Sequence, residues 1–193
     1  MISAITSALR VYEPKGLPQE ANASVLIPLF QDSGGTGLVL IHRAEDTGPH
    51  SGQMAFPGGM VEIWDRGDLL ATALRESKEE ICVQPDDVEI IGTLAQRRTI
   101  LTSLTVKPFV GVIPYPYPFK PDEREVQGIS TALLEDLVES VMTGENPYNL
   151  PPPVYPVDGK PVWGLTAKMI TELLDLIGPA IQDPRSRIQD LEV

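Results

Sequence analysis

With 193 residues, of which 42% are hydrophobic and 22% charged, the chain has globular composition and enough length for one domain with a sizeable core, which excludes a disordered polymer. A net charge of −12 and a pI of about 4.5 argue against binding a polynucleotide or an anionic membrane through bulk electrostatics. They leave open a small anionic substrate accompanied by divalent ions. The single cysteine, Cys82, has no partner for an internal disulfide, and no apolar run approaches the ~20 residues that span a bilayer, so a cytoplasmic protein is expected.

Met1 to Arg10 reads as a short amphipathic helix, with Ile2, Ile5 and Leu9 at helical spacing, and a polar connector follows from Tyr12 to Asn22. This start is too polar for a secretory signal and too poor in arginine for a transit peptide. Ala23 to Phe30 reads as a buried strand in which Pro28 demands a bulge or an edge position. The string Gly34-Gly35-Thr36-Gly37 lies between this strand and the next, Leu38 to His42. It reads as a hairpin turn in preference to a phosphate loop, which would precede a helix.

Arg43 to Gly52 is a polar, substrate-contacting loop in this reading. Asp68 to Ile81 is a helix whose apolar stripe is Leu70, Leu74 and Ile81 with Ser77 on the same line, ending ahead of Pro85. Val88 to Ala95 and Thr105 to Ile113 are strands joined through Gln96, Arg97 and Arg98, and Pro114 to Pro121 is an extended loop. Glu125 to Ile129 reads as a further strand and Thr131 to Val138 as a short helix capped by Ser130 or Thr131. Met142 to Pro153 is a loop, Val154 to Val162 a hairpin turning at Asp158-Gly159, and Thr166 to Ile177 a helix. Helix, strands, helix, strands, helix is the order of an α/β fold with a mixed central sheet between helical layers. We take it as one domain over residues 1–193, with 1–22 an N-terminal helix and connector and 179–193 a polar tail.

Within Arg75-Glu76-Ser77-Lys78-Glu79-Glu80, the glutamates stand at i, i+3 and i+4, within roughly 100° of one helix face. Like charges packed so closely repel, and a bound hard cation would relieve them; the plainer reading is a solvated acidic face, away from the apolar stripe. Arg75 would fix one of the glutamates by pairing, or be an ordinary surface ion pair. His50 is not needed for Mg²⁺ chemistry. Phe56 suits core packing at least as well as a base-stacking platform.

Arg75, Glu76, Glu79, Glu80 and Val83 match the Nudix box, G-x5-E-x7-R-E-U-x-E-E-x-G-U, where U is a bulky aliphatic. Ser77 replaces an aliphatic and Cys82 a glycine, and strict spacing places Gly67 where the upstream glutamate should be. Upstream, Val39 to Ala44, Gly52 and the Phe56-Pro57-Gly58-Gly59 turn follow, without a gap, the signature of the coenzyme A diphosphatase branch, whose internal arginine is here Gly48. The chain thus resembles that branch over residues 38 to 83, and more weakly from Thr105 to Ala167. The resemblance implies a Nudix-type α/β/α sandwich that hydrolyses the pyrophosphate of coenzyme A or a derivative with Mg²⁺ or Mn²⁺. It implies metal ligation by Glu76, Glu79 and Glu80 with the backbone of Gly59, and catalytic roles for Glu76, Arg75 and Glu125. Arg43, Gly52, Phe56 and Arg97 are the substrate-binding candidates. The expected partner is a small nucleotide, with no nucleic acid and no membrane, and a homodimer is compatible with the sequence. The alternatives are the same chemistry on another nucleoside diphosphate-X and a Nudix-fold binding protein without turnover.

Overall fold

The computed structural model describes residues 1–14, 20–45, 51–99 and 103–181, the side chains of 179–181 excepted. Its centre is β1 (Ala23–Asp32), which forms a hairpin with β2 (Gly35–Arg43). The reversal is tight because Asp32 Oδ1 accepts from the backbone N–H groups of Gly34, at 2.7 Å, and Gly35, at 3.2 Å. The glycine string is therefore a hairpin turn, as read. Met54–Ala55 forms β3 beside β2, and Gly58–Met60 forms β4 beside the start of β1. Helix α1 (Ile2–Val11) precedes β1, and helix α2 (Leu69–Ile81) follows β4 after a 3-10 turn at Ile63–Asp65.

Beyond α2 come β5 (Glu89–Thr93), β6 (Arg97–Arg98), β7 (Thr105–Val112) and β8 (Val126–Leu133). The remaining elements are α3 (Leu134–Ser140), the β9 (Tyr155–Val157) and β10 (Lys160–Val162) hairpin, and α4 (Gly164–Ile181). The main sheet runs β3-β2-β1-β7-β5, with β4 on β1, β6 on β7 and β8 on β2. Among the described residues only β1 and β7 pair in parallel, from Ala23 opposite Val106 to Leu29 opposite Val112, so the sheet is mixed.

Alternate residues of β2 serve two cores, as pleating requires. Leu38 and Leu40 join Ile5 and Leu9 of α1 and Ile170 and Leu173 of α4, while Val39 and Ile41 join Ile81, Val83 and Val126 on the α2 side. The result is an α/β/α sandwich, the expected class.

Four local expectations are corrected. Pro28 is neither at an edge nor in a bulge: it lies in the central strand where one flank passes from β4 to β2, on the same side of β1 as the Leu26 N–H that donates to Pro57 O. No ladder bond is lost there. Ser130 and Thr131 are strand residues rather than helix caps, because β8 continues to Leu133 opposite β2, and α3 starts only at Leu134. Phe56 to Gly59 is not one turn, since Gly58 and Gly59 pair with β1 as β4. Helix α4 passes the expected end at Ile177 and enters the expected tail, the rest of which lies outside the described residues.

Cys82 ends α2 in the left-handed conformation, φ 64°, where its N–H donates to Lys78 O and the Val83 N–H to Ser77 O. A side chain there costs about 1 kcal/mol relative to glycine. Cys82→Gly should therefore raise stability by about 1 kcal/mol in urea titration, with no change in the slope of the transition.

Candidate active site

Asp68 caps α2 by accepting from the Leu70 and Ala71 N–H groups at 2.9 and 3.1 Å, which fixes where the helix starts and so which face each glutamate takes. The buried residues of α2 are Thr72, Ala73, Ser77, Glu80 and Ile81, so the expected stripe through Leu70 and Leu74 is displaced and Glu80 lies on the packed face. The reason is the partner. Helix α2 rests on β1 and β4, and close approach to a glycine backbone favours small side chains. Ser77 is at home there, its hydroxyl donating to Ala73 O at 2.7 Å.

Glu80 is only 2% exposed. Its Oε2 accepts from Gly58 N–H at 2.9 Å, and Arg43 Nη1 stands 3.6 Å from Oε1. Burial pushes its carboxyl up to about 8; the Gly58 bond and Arg43 oppose that rise, while the charges of Glu76 and Glu125 add to it. Burial also raises Glu76, against the pull of Arg75, with Glu79 and Glu125 again adding to the rise. Gly58 has φ 155°, and a Cβ on it would strike Ser24 O and the Val25 Cα; one on Gly59 would overlap the Glu76 carboxylate. Gly58 lets β4 lie against the backbone of β1, and Gly59 leaves room for the Glu76 carboxylate of α2 where it stands.

Arg75 is the organiser. Its Nε and Nη2 donate to the two oxygens of Asp65 at 2.9 and 3.0 Å, its Nη1 donates to Glu79 at 2.9 Å and lies 2.9 Å from Glu76 Oε1, and its Nη2 reaches Met60 O at 3.2 Å. It pairs with two glutamates rather than one. Asp65 also accepts from Glu62 N–H at 2.8 Å and from Thr72 Oγ1 at 2.9 Å, and the Arg75 bond first of all holds its carboxyl at about 2. Sequence reasoning missed Asp65. Its signals were the Glu62-x-x-Asp65 capping pattern and the spacing to Thr72 and Arg75.

Glu125 is exposed at the mouth of β8, where its carbonyl accepts from Ala44 N–H at 2.8 Å, and its charge acts on both Glu76 and Glu80. Arg43 Nε is buried with no hydrogen-bond partner among the described residues. Gly52, at φ 68°, donates its N–H to Arg43 O at 3.2 Å, closing the base of the loop. Two substrate-binding expectations are not met by the geometry. Phe56 is buried in the core, with no face free to stack on a base. Arg97 is held by Glu172 of α4, which also accepts from Tyr12 Oη at 2.6 Å and Ala95 N–H at 2.7 Å, beside a cleft of about 610 Å³ on the helical face opposite α2. Gly48 and His50 lie outside the described residues.

One residue from Arg43, His42 begins a second network that sequence reasoning missed. Lys160 Nζ, which can only donate, lies 3.0 Å from His42 Nδ1, so His42 Nε2 carries the hydrogen toward Ser130 Oγ at 2.7 Å, and Ser130 donates to Asp158 Oδ2. This direction of donation makes Ser130 no nucleophile. It ties the β9–β10 hairpin to β2 and β8.

Among the described residues no three His, Cys, Asp or Glu side chains converge as a ready-made metal cage. The donors do fit a hard divalent cation that shares its coordination with substrate phosphates, since Glu76, Glu80 and Glu125 are all-oxygen ligands whose mutual repulsion such an ion would relieve. Asp65→Asn should cost about 2 kcal/mol in stability at neutral pH. Because the folded carboxyl lies below its unfolded value, the wild-type advantage is complete above about pH 4 and disappears as pH falls toward 2. Parallel acid titrations of wild type and variant, followed by circular dichroism, should converge over that window.

The NUDIX domain profile matches residues 20–144. The chain is 35% identical over 166 residues to the uncharacterized Nudix hydrolase NudL of Salmonella paratyphi B, covering 82% of this chain and 84% of that protein, and equally to NudL of Salmonella newport. Among solved structures, the Nudix hydrolase RenU of M. smegmatis superposes with a TM-score of 0.55 at 15% identity, covering 86% of this chain and 88% of the other. A Nudix hydrolase from Alicyclobacillus acidocaldarius superposes with a TM-score of 0.55 at 14% identity, covering 86% and 93%. The buried glutamate on a helix laid across a glycine pair thus sits in a recognised frame: the chain belongs to the Nudix hydrolase family.

Proposed function

We propose that this protein hydrolyses the pyrophosphate bond of coenzyme A or a derivative, releasing 3′,5′-ADP and 4′-phosphopantetheine or its acylated form. The observation that supports the hydrolytic reading is the buried Glu80 carboxylate beside Arg43, on which the charges of Glu76 and Glu125 also act, with Arg43 Nε lacking a hydrogen-bond partner among the described residues. Nudix hydrolases generally use divalent ions, and Glu76 and Glu80, with Glu79 and the Gly59 carbonyl, would hold Mg²⁺ or Mn²⁺ here. Such an ion supplies charge neutralisation at the phosphoryl oxygens and activation of water. Arg75 holds Glu76 and Glu79 in place, and Asp65 holds Arg75. Glu125, exposed to solvent and with its charge acting on both Glu76 and the buried Glu80, is the candidate to orient the attacking water or add a metal contact.

The coenzyme A assignment rests on the upstream signature, of which the structure brings Arg43 beside Glu80 and Gly52 beneath Arg43. Gly48, standing where that signature has arginine, favours the second reading, another nucleoside diphosphate-X such as ADP-ribose, NADH or a dinucleotide. We place the activity in a single cytoplasmic Nudix domain. Among the described residues no helix is long and apolar enough to cross a membrane.

Coenzyme A, ADP-ribose, NADH and diadenosine polyphosphates supplied at equal concentration with Mg²⁺ should rank with coenzyme A first, and no preference for it sinks the assignment. Glu80→Gln and Glu76→Gln should each lower kcat at least about 100-fold, read as 3′,5′-ADP released. Activity equal to that of Glu80→Gln in the wild type would favour a binding protein. Turnover by Glu125→Gln that matches wild type at saturating Mg²⁺ would remove Glu125 from the mechanism.

A further inference from the structure

The loop between β7 and β8, residues 113–125, is fastened to the end of α2. Glu80 O accepts from Asp122 N–H at 2.9 Å, and Ile81 O accepts from Lys120 N–H at 3.2 Å. The last carbonyls of a helix have no helical partners, so these bonds complete the helix and fix the loop together. Earlier in the loop, the Tyr115 ring stacks on Phe30 with centroids 4.1 Å apart. The Tyr117 hydroxyl accepts from Gln84 N–H at 2.9 Å and donates to Asp87 Oδ2 at 2.6 Å.

Asp122 stands where this fastening meets Glu125. Its N–H goes to Glu80, and its carbonyl accepts from the N–H groups of Glu125 at 2.9 Å and Val126 at 2.8 Å. One residue thus joins the backbone of the buried glutamate to that of the exposed one, with a hydrogen bond on each side. Its carboxylate closes the turn between them: Oδ1 accepts from Arg124 N–H at 3.0 Å and from Arg124 Nε at 3.0 Å, and Oδ2 from Nη2 at 2.5 Å. An aspartate that accepts from the backbone two residues on sets a turn locally. The Arg124 side chain is 87% exposed, and an ion pair in water adds little to the stability of a fold. What the Asp122 carboxylate determines is therefore the shape of the turn, and with it where Glu125 leaves the chain.

Resting on the assignment of Glu125 to the reaction, we infer that Asp122 is a positioning residue, whose carboxylate shapes the turn so that Glu125 is presented to the site at a fixed place relative to Glu80. In this role it touches neither substrate nor metal. Arg124, although cationic and exposed, takes part through its main-chain N–H.

The test measures kcat and KM at saturating Mg²⁺, on whichever of coenzyme A, ADP-ribose, NADH and diadenosine polyphosphates wild type cleaves best. The variants are Asp122→Ala, Asp122→Asn, Arg124→Ala, Glu125→Gln and the Asp122→Ala, Glu125→Gln double variant, each with a melting curve. Asp122→Ala should lower kcat about tenfold with KM unchanged and the melting temperature within about 2 °C of wild type. Asp122→Asn keeps the Oδ1 acceptor for Arg124 N–H and should retain at least about half of the wild-type kcat, and Arg124→Ala should match wild type. The double variant should lose no more than Glu125→Gln alone, because the turn then has no working carboxylate to place. Wild-type kcat in Asp122→Ala, a loss in Asp122→Asn as large as that in Asp122→Ala, or losses that multiply in the double variant would each overturn the positioning and leave Glu125 in the mechanism. A raised KM in Arg124→Ala overturns it in favour of direct contact between that cation and substrate. If Glu125→Gln matches wild type, the assignment of Glu125 falls and the positioning with it, while hydrolysis stands. If wild type cleaves none of the compounds, the hydrolytic reading falls, and the positioning with it.

Discussion

A carboxylate buried against a backbone N–H is the constraint from which the rest of the site follows. Glu80 is removed from water and given one direct donor, Gly58, and one cation at 3.6 Å, Arg43. That is too little to compensate a full charge in a low-dielectric setting, which is why burial lifts its carboxyl so far. A carboxylate left so under-compensated is a cost to the fold, and a cation bound beside it would relieve that cost. The two glycines belong to the same arrangement: Gly58 lets β4 lie against β1 while its N–H reaches Glu80, and a Cβ on Gly59 would displace the Glu76 carboxylate.

Arg75 converts this strained pair into a stable geometry. Its three nitrogens engage Asp65, Glu76, Glu79 and the carbonyl of Met60, so one planar guanidinium links the helix, the 3-10 turn and the end of β4. Lysine, a point charge without the fork, could not hold all of these at once. The consequence is that the acidic face of α2, the 3-10 turn and the end of β4 are anchored on one side chain.

What could be read beforehand divides along a physical line. The hairpin at Gly34 and the turn at Asp158-Gly159, where both residues have positive φ, were legible because turn chemistry is local. So was the helix carrying the glutamates, read from Asp68 and observed over Leu69–Ile81. The buried face of α2 was not, because Ser77 and Thr72 are buried only by virtue of what lies beneath them, a glycine strand from elsewhere in the chain. Pro28 misled for the same reason: a proline is tolerated at the centre of a sheet where neighbouring strands change over, which no local rule encodes. Arg97 looked like a phosphate ligand until Glu172, distant in sequence, was found to hold it.

The same line separates the parts of the site. Glu76 and Glu80 stood out through the Nudix-box resemblance, spacing alone favouring a solvated face; Asp65 lay close to its partners but without an expected role, whereas the Gly58 donor and the Lys160–His42–Ser130–Asp158 chain are made by residues far apart in sequence. This chain and the Arg43–Glu80 pair meet on adjacent residues of β2 whose side chains leave on opposite faces of the sheet. Strand β2 therefore joins the hairpin on one face to the acidic helix on the other. Arg43 is placed not by its immediate neighbours alone but by a strand clamped from both sides, and that support is what the proposed phosphate-binding role would require if its donors are to be in position beforehand.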